Sequence, residues 1–458
     1  MPKTSPKLKT RYICSSCGSA QMRWTGKCPD CGEWNTLVEE VYQEAKGESH
    51  RSSLSAVQPQ RLNEISSEEF QRLPVEIGEL SRVLGGGIVP GSLVLIGGEP
   101  GIGKSTLLLQ AAVSVARTSG TTLYVSGEES GQQLKMRAER LGVGNSDLLL
   151  LTDTNLDNMV YQIETIRPRL AVIDSIQTMY LDGVPASAGT VSQVRECAQH
   201  LQSMAKSTNI PVFIVGHVTK DGAIAGPKVL EHIVDTVLQL EGDRFHALRL
   251  LRSMKNRFGT TSEVGVFEMA GAGMVEVTNP SEAFLAERLN NAPGSAIAVM
   301  MEGTRPLLVE VQALTSFTQN PMPRRTVNGF DYNRLFILLA VLSKRVGIRL
   351  HDQDVFINIV GGMTIDEPAA DLAVAAAIAS ASKGIAVPSD TAIIGEIGLS
   401  GELRSVGQLT SRLNEAARLG FRHCIIPKTT RPIESPSQVM QLLPARSLGE
   451  ALDALFQV

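Results

Sequence analysis

The chain has 458 residues, 20% of them charged, and a formal net charge of -4. That length predicts two or three domains with sizeable cores, and the charge balance excludes a uniformly basic nucleic-acid binder, so any such contact must come from local patches. No apolar run is long enough to span a bilayer, and Lys3, Lys7, Lys9 and Arg11 are not followed by the apolar core of a signal peptide. The expectation is a soluble cytoplasmic protein with no membrane partner.

Four of the six cysteines sit together near the start of the chain. Cys14-x2-Cys17 and Cys28-x2-Cys31 are two knuckles ten residues apart, a spacing that brings four thiolates within tetrahedral reach of one Zn2+. Each second cysteine is followed by a glycine, Gly18 and Gly32, which suits the tight turn of a knuckle. All four positions are filled by protein, so the metal is expected to be structural. Trp24 and Trp34, the only tryptophans, fall in this module. They are expected to cover the metal site, with base stacking beside Arg23 and Lys27 as the alternative. Residues 1–40 therefore read as a zinc finger, and the polar stretch at 41–60 as a flexible linker.

The next module, 61–285, is organised around Gly98-Glu99-Pro100-Gly101-Ile102-Gly103-Lys104-Ser105-Thr106, which fits G-x-x-x-x-G-K-[ST]. The β-rich run Leu93–Ile96 precedes it. A helix-forming run, Leu107–Arg117, follows. Glycines let backbone N–H groups close around phosphate oxygens, and the helix N-terminus adds positive potential. Lys104 is expected at the β- and γ-phosphates of a nucleoside triphosphate, and the Ser105 hydroxyl on Mg2+. Strand and helix signals then alternate through Ile210–Gly216, which argues a mostly parallel sheet with helices on both faces. Asp174 ends the apolar run Leu170–Ile173 and is the second Mg2+ candidate. Glu128 closes the Tyr124–Gly127 strand and is the candidate general base, ahead of its neighbour Glu129. His217 ends the next strand and is a candidate γ-phosphate sensor. Lys220 and Lys228 bracket a Gly-rich loop suited to phosphate contacts without sequence preference. The Tyr180–Thr190 loop is similarly placed but carries no positive charge.

The Glu79–Gly103 stretch with Glu128 and Asp174 resembles RecA-type ATPases, and Lys255-Asn256-Arg257-Phe258-Gly259 resembles the Lys-x-Arg finger of DnaB-type replicative helicases. From the cysteines to the carboxyl terminus the chain is similar to the bacterial RadA (Sms) family. The resemblance implies ATP as the nucleotide. It places Lys255 and Arg257 at the γ-phosphate of a neighbouring subunit, in a hexameric ring. It implies a DNA-dependent ATPase and helicase that processes branched recombination intermediates, on single-stranded and branched DNA, together with the RecA recombinase.

From about Pro293 the pattern changes to a second α/β domain, 290–458. Gly395–Leu403 and Val406–Leu409 resemble the protease domain of Lon, whose chemistry needs a Ser/Lys dyad. Here the serine position holds Ala369 and the lysine position holds Arg412. Alanine offers no nucleophile, and arginine stays charged and cannot act as a base. The fold is implied without proteolysis. Arg324, Arg325, Lys344, Arg345 and Arg349 are candidate DNA-phosphate contacts, with a solvated basic face as the alternative.

Overall fold

The computed structural model describes residues 8–43, 71–142, 147–216, 230–242, 248–285, 288–361, 363–428 and 440–457. His217, Lys220, Lys228 and most of the 41–60 stretch lie outside these. The chain divides into two compact units, 1–276 and 277–458.

The first unit begins with three short antiparallel strands, β1 (Leu8–Cys14), β2 (Ala20–Gln21) and β3 (Leu37–Gln43), in the order β2-β1-β3. Strand β3 runs past residue 40 into the stretch expected to be linker. After α1 (Gly78–Leu84), a strand-and-helix alternation builds the main sheet. It comprises β4 (Leu93–Gly98), α2 (Lys104–Ser119), β5 (Thr122–Ser126), α3 (Gly131–Arg140) and β6 (Leu148–Thr152). It continues through α4 (Leu156–Ile166), β7 (Leu170–Asp174), α5 (Val191–Thr208) and β8 (Val212–Val215). Caps set several helix starts: the Ser130 hydroxyl accepts from Gln133 N–H in a reciprocal capping box, and the Thr190 hydroxyl accepts from Gln193 N–H at the start of α5.

Strands β4, β5, β7 and β8 are buried along their whole length, as a sheet with both faces covered requires. One face packs on α1 and α2, the other on α4 and α5. The sheet is larger than the periodicity alone indicates. β9 (Thr236–Glu241) joins β4 in parallel, and β10 (Leu248–Asn256), β11 (Val264–Ala270) and β12 (Gly273–Glu276) extend it as antiparallel strands. The order is β12-β11-β10-β9-β4-β8-β7-β5-β6.

The zinc-finger module is fastened to this core. Ile13 is buried in the same cluster as Val191 and Val194 of α5. Arg11 donates to Glu40 Oε2 at 2.8 Å and to Ser192 Oγ at 2.9 Å, and Ser192 donates back to Glu40 at 2.9 Å. Arg195 donates to the Gly18 carbonyl at 3.2 Å.

The second unit carries a sheet in the order β15-β16-β14-β13-β17-β20-β21. Its strands are β13 (Ser295–Glu302), β14 (Arg305–Phe317), β15 (Arg325–Asn328), β16 (Gln353–Ile359), β17 (Thr391–Ile393), β20 (His423–Pro427) and β21 (Gln441–Ala445). β18 (Glu396–Ile397) stands outside this sheet and pairs with β19 (Leu403–Arg404). The Ala-rich helix Asp371–Lys383 is buried against β13 and β14.

Candidate nucleotide-hydrolysis site and metal centre

Every chemical group of the first site hangs from the carboxyl ends of parallel strands, where loops converge in open α/β sheets. β4 delivers the phosphate loop. Gly98 and Gly103 have φ of +150° and +116°, and a Cβ on either would meet Leu240 O or Met269 Cε at 2.5 Å. So backbone freedom requires glycine at both positions, and at Gly98 the close approach of the Leu240 carbonyl requires it as well. Met269 and Met274, on the β11–β12 hairpin, back the loop. Gln110 of α2 grips that hairpin by donating to Met274 O and accepting from Met274 N–H. Nothing in the sequence pattern pointed to this backing, because the hairpin reaches the loop from more than 160 residues away.

Lys104 is buried and donates to the carbonyls of Gly98 and Glu99 at 2.8 and 3.0 Å. Burial pushes its pKa down to about 8, opposed by the negative charges of Asp174 and Glu128. Those two carboxylates therefore face the loop lysine. Asp174 is 6% exposed and accepts from Tyr124 Oη at 2.6 Å. Burial and the adjacent Asp174 drive the Tyr124 pKa far up, so the phenol remains a donor. Glu128 Oε1 accepts from Ser175 Oγ at 2.5 Å. Glu129 points elsewhere, into an ion pair with Arg137 at 2.5 Å. Tyr124 and Ser175 are site residues that strand periodicity alone does not single out: each is one more β-rich or small residue until the fold places it beside a carboxylate. Ser105 and Thr106 open α2 next to these groups. Their hydroxyls and the Asp174 carboxylate are oxygen donors of the kind Mg2+ would take.

Lys255 and Arg257 lie elsewhere. Asn256 pairs with Thr236 at the start of β9, level with Val94, whereas the phosphate loop begins beyond Gly98 at the other end of β4. Lys255 Nζ donates to Glu231 O at 2.5 Å and Val234 O at 2.8 Å. Burial, followed by the adjacent Arg257 charge, lowers its pKa. Arg257 is 48% exposed and pairs with Asp235 Oδ1 at 3.1 Å.

In the metal centre, the Sγ atoms of Cys14 and Cys31 are 3.6 Å apart and those of Cys17 and Cys28 are 3.7 Å apart, all four lying within 4.8 Å of one another. A tetrahedral site with a Zn–S bond of about 2.3 Å has edges of about 3.8 Å, so the donor set fits Zn2+. Gly18 and Gly32 close the two knuckles by donating to Cys14 O and Cys28 O at 2.8 and 2.9 Å, with φ of +72° and +75°. The expectation that the tryptophans cover the metal is corrected. Trp24 and Trp34 are 56% and 68% exposed, and of the four cysteines Cys14 and Cys28 are buried while Cys17 and Cys31 are exposed.

In the second unit, Ala369 is buried, and Arg412 is 1% exposed. Arg412 forms a two-pronged ion pair with Glu367 and donates to Val299 O at 2.7 Å and Gly407 O at 3.0 Å. The position of the Lon dyad lysine is filled by a clamped guanidinium. Among the candidate DNA contacts, Arg325 spends its guanidinium on the carbonyls of Arg324, Gln353 and Leu350. Arg324, Lys344, Arg345 and Arg349 are exposed.

Three family models match: a rubredoxin metal binding domain over residues 12–39, an AAA domain over 58–223, and the subunit ChlI of Mg-chelatase over 334–430. Among solved structures the chain is similar to a KaiC-like protein from Pyrococcus horikoshii (21% identity, 45% of this chain and 99% of that one, TM-score 0.38). A second is the RadB recombinase (24% identity, 45% and 99%, TM-score 0.37). Over 449 residues it is 49% identical to the DNA repair protein RadA of Listeria monocytogenes, covering 97% of this chain and 98% of that one. Over 450 residues it is 48% identical to the DNA repair protein RadA of Bacillus subtilis, with 97% and 98% covered. With 48–49% identity to both relatives over nearly the whole of each chain, and a rubredoxin-type metal binding domain, an AAA domain and a ChlI-type domain in sequence, this protein belongs to the RadA family of DNA-repair proteins.

Proposed function

We propose that the chain is a DNA-stimulated ATPase and DnaB-type translocase that acts as a head-to-tail ring, a hexamer, on single-stranded and branched DNA. It serves recombination and repair in the cytoplasm, processing branched intermediates together with the RecA recombinase. Lys104 binds the β- and γ-phosphates of ATP across the loop Gly98–Thr106, and Ser105 with Asp174 holds Mg2+, which neutralises charge on the transferring phosphoryl group. Glu128, oriented by Ser175, takes the proton of the attacking water. His217 senses the γ-phosphate. Lys220 and Lys228, with Arg324, Lys344 and Arg345, contact DNA phosphates. The zinc ribbon is structural, and the Lon-like domain contributes assembly and surface, not proteolysis.

The observation that carries this reading is the position of Arg257. Leu93, level with Asp235 and Arg257, is five residue steps from Gly98, roughly 16 Å along a strand. An arginine side chain cannot cover that span, so Arg257 has no access to the phosphates of its own loop. A guanidinium supplied in trans stabilises transition-state charge and makes turnover depend on assembly. The test is ATP hydrolysis with and without single-stranded DNA for the wild type, Lys104→Ala and Arg257→Ala. DNA should raise the wild-type rate and both variants should lose it. A rate indifferent to DNA would end the motor reading.

A further inference from the structure

The finger loop is tied down at one residue that also touches the strand of the phosphate loop. Asp235 is 2% exposed. Its Oδ2 accepts from Leu93 N–H at 3.1 Å, and its own N–H donates to Leu93 O at 2.9 Å, so it is locked to the first residue of β4. Its Oδ1 meets Arg257 Nη1 at 3.1 Å, and its backbone carbonyl accepts from Arg257 N–H at 3.2 Å. Lys206 Nζ lies 3.9 Å from the carboxylate, and the ammonium of Lys255 also interacts with its charge. The rest of the finger loop is braced independently. Arg72 donates to Phe258 O at 2.6 Å, and Asn256 Oδ1 accepts from Phe258 N–H at 3.0 Å.

We propose that Asp235 is the positioning residue of the Arg257 finger and the link between consecutive nucleotide sites. This rests on the reading of Arg257 as a finger in trans. A buried carboxylate has to be paired, and here its two oxygens are divided between two sites. One fixes the start of β4, whose far end is the subunit's own phosphate loop. The other fixes the guanidinium offered to the next subunit's phosphates. A half-exposed arginine without this anchor samples many rotamers, and a finger works only when it arrives pre-aimed. Any shift of β4 on nucleotide binding is transmitted through Leu93 and Asp235 to Arg257.

The test uses Asp235→Asn in the full chain. The amide oxygen still accepts from Leu93 N–H but no longer holds the guanidinium by charge. The KM for ATP should stay within about twofold, because the subunit's own loop is intact, while kcat falls about tenfold or more, the scale of a lost charge-assisted contact in a preorganised site. The deciding readout is a mixed assembly. Asp235→Asn subunits bring a sound loop and a poorly held finger, and Lys104→Ala subunits bring a disabled loop and a sound finger. Mixing them should restore hydrolysis, which damage to the Asp235→Asn subunit's own site would not allow. Arg257→Ala mixed with Lys104→Ala is the control. No rescue in the control overturns the trans reading and this proposal together. Rescue in the control without rescue of Asp235→Asn overturns Asp235 alone. Asp235→Ser carries the same expectation with a smaller acceptor. If neither variant gives soluble, nucleotide-binding protein, Asp235 is a folding residue and the assignment is overturned.

Discussion

Lys104 Nζ donates to the carbonyl oxygen of Gly98 at 2.8 Å, so the lysine is held by the loop whose phosphate it is placed to bind. Burial lowers its pKa to about 8, against an ordinary 10.5. In the folded, nucleotide-free protein it loses its proton between those values, while in the unfolded chain it keeps it. The unfolded state then binds more protons, so this group makes stability rise with pH from about 8 to 10.5. Nucleotide affinity runs the other way, since phosphate needs the charged ammonium. Above pH about 8, ATP binding should take up a proton and weaken by up to tenfold per pH unit. Calorimetry in buffers of different ionisation heat reads the uptake directly. A flat affinity from pH 7 to about 9.5 would mean that Lys104 stays charged throughout.

Glu128 and Glu129 are neighbours with opposite assignments. Ser175 holds Glu128 toward the lysine and Asp174, while Arg137 of α3 holds Glu129. Glu128→Gln should bind ATP normally and lose about 10²-fold or more in turnover, the usual worth of a general base. Glu129→Gln should retain turnover and lose about 1 kcal/mol of stability from a half-buried pair. Single-turnover hydrolysis and thermal unfolding of the two variants separate the roles. Equal losses of turnover would reject the assignment.

Tyr124 is fully buried, and its hydroxyl is the hydrogen-bond donor to Asp174. Tyr124→Phe leaves a buried carboxylate oxygen without that donor, a cost of about 1–3 kcal/mol. It also frees the carboxylate to rotate, and loss of such an orienting partner weakens metal binding about 10-fold or more. The Mg2+ concentration needed for half-maximal hydrolysis should therefore rise while the KM for nucleotide changes little. An unchanged Mg2+ midpoint would place Asp174 outside the metal's reach.

What the sequence made legible were the features with local causes. The phosphate loop, the two knuckles and the strand-end carboxylates are short, because backbone geometry and ligand spacing act over a few residues. The short apolar runs Leu93–Ile96 and Leu170–Ile173 announced buried parallel strands for the same reason. Tyr124, Ser175 and the Met269–Met274 backing were not legible, because each acquires meaning only when strands far apart in sequence become neighbours. The antiparallel extension β10–β12 was not legible because its strands carry no clean alternation, β10 and β11 being buried over runs of three and four consecutive residues. The tryptophans were misplaced because composition says nothing about which face of the 8–43 module the thiols occupy.

The zinc ribbon rests on α5 through Ile13, the Arg11–Ser192–Glu40 network and the Arg195–Gly18 contact. A module this small folds with its metal. Chelation, or Cys28→Ala, should unfold residues 8–43 and uncover Ile13 while leaving the phosphate loop able to bind nucleotide. Limited proteolysis should then cut first within the ribbon, and a fluorescent ATP analogue should still bind. If chelation abolishes nucleotide binding as well, the ribbon supports the core more deeply than these contacts indicate.

Restoring the Lon-type residues tests whether the second unit is one substitution pair away from proteolysis. Ala369→Ser with Arg412→Lys should show no peptidase activity. Glu367, which now pairs with Arg412 and also accepts from Met301 N–H at 2.8 Å, would stay beside the new lysine and keep it protonated. A protonated lysine cannot activate the Ser hydroxyl. Arg412→Ala alone should destabilise this unit by about 3–5 kcal/mol, since it strips the buried partner from Glu367 and leaves the Val299 and Gly407 carbonyls without their donor. Thermal unfolding reads the second effect, and release from a fluorogenic peptide reads the first. Turnover of the peptide by the double variant would show that the site is blocked only by its two altered side chains. Continued silence, with the fold intact, would place the block in Glu367 and the packing around it.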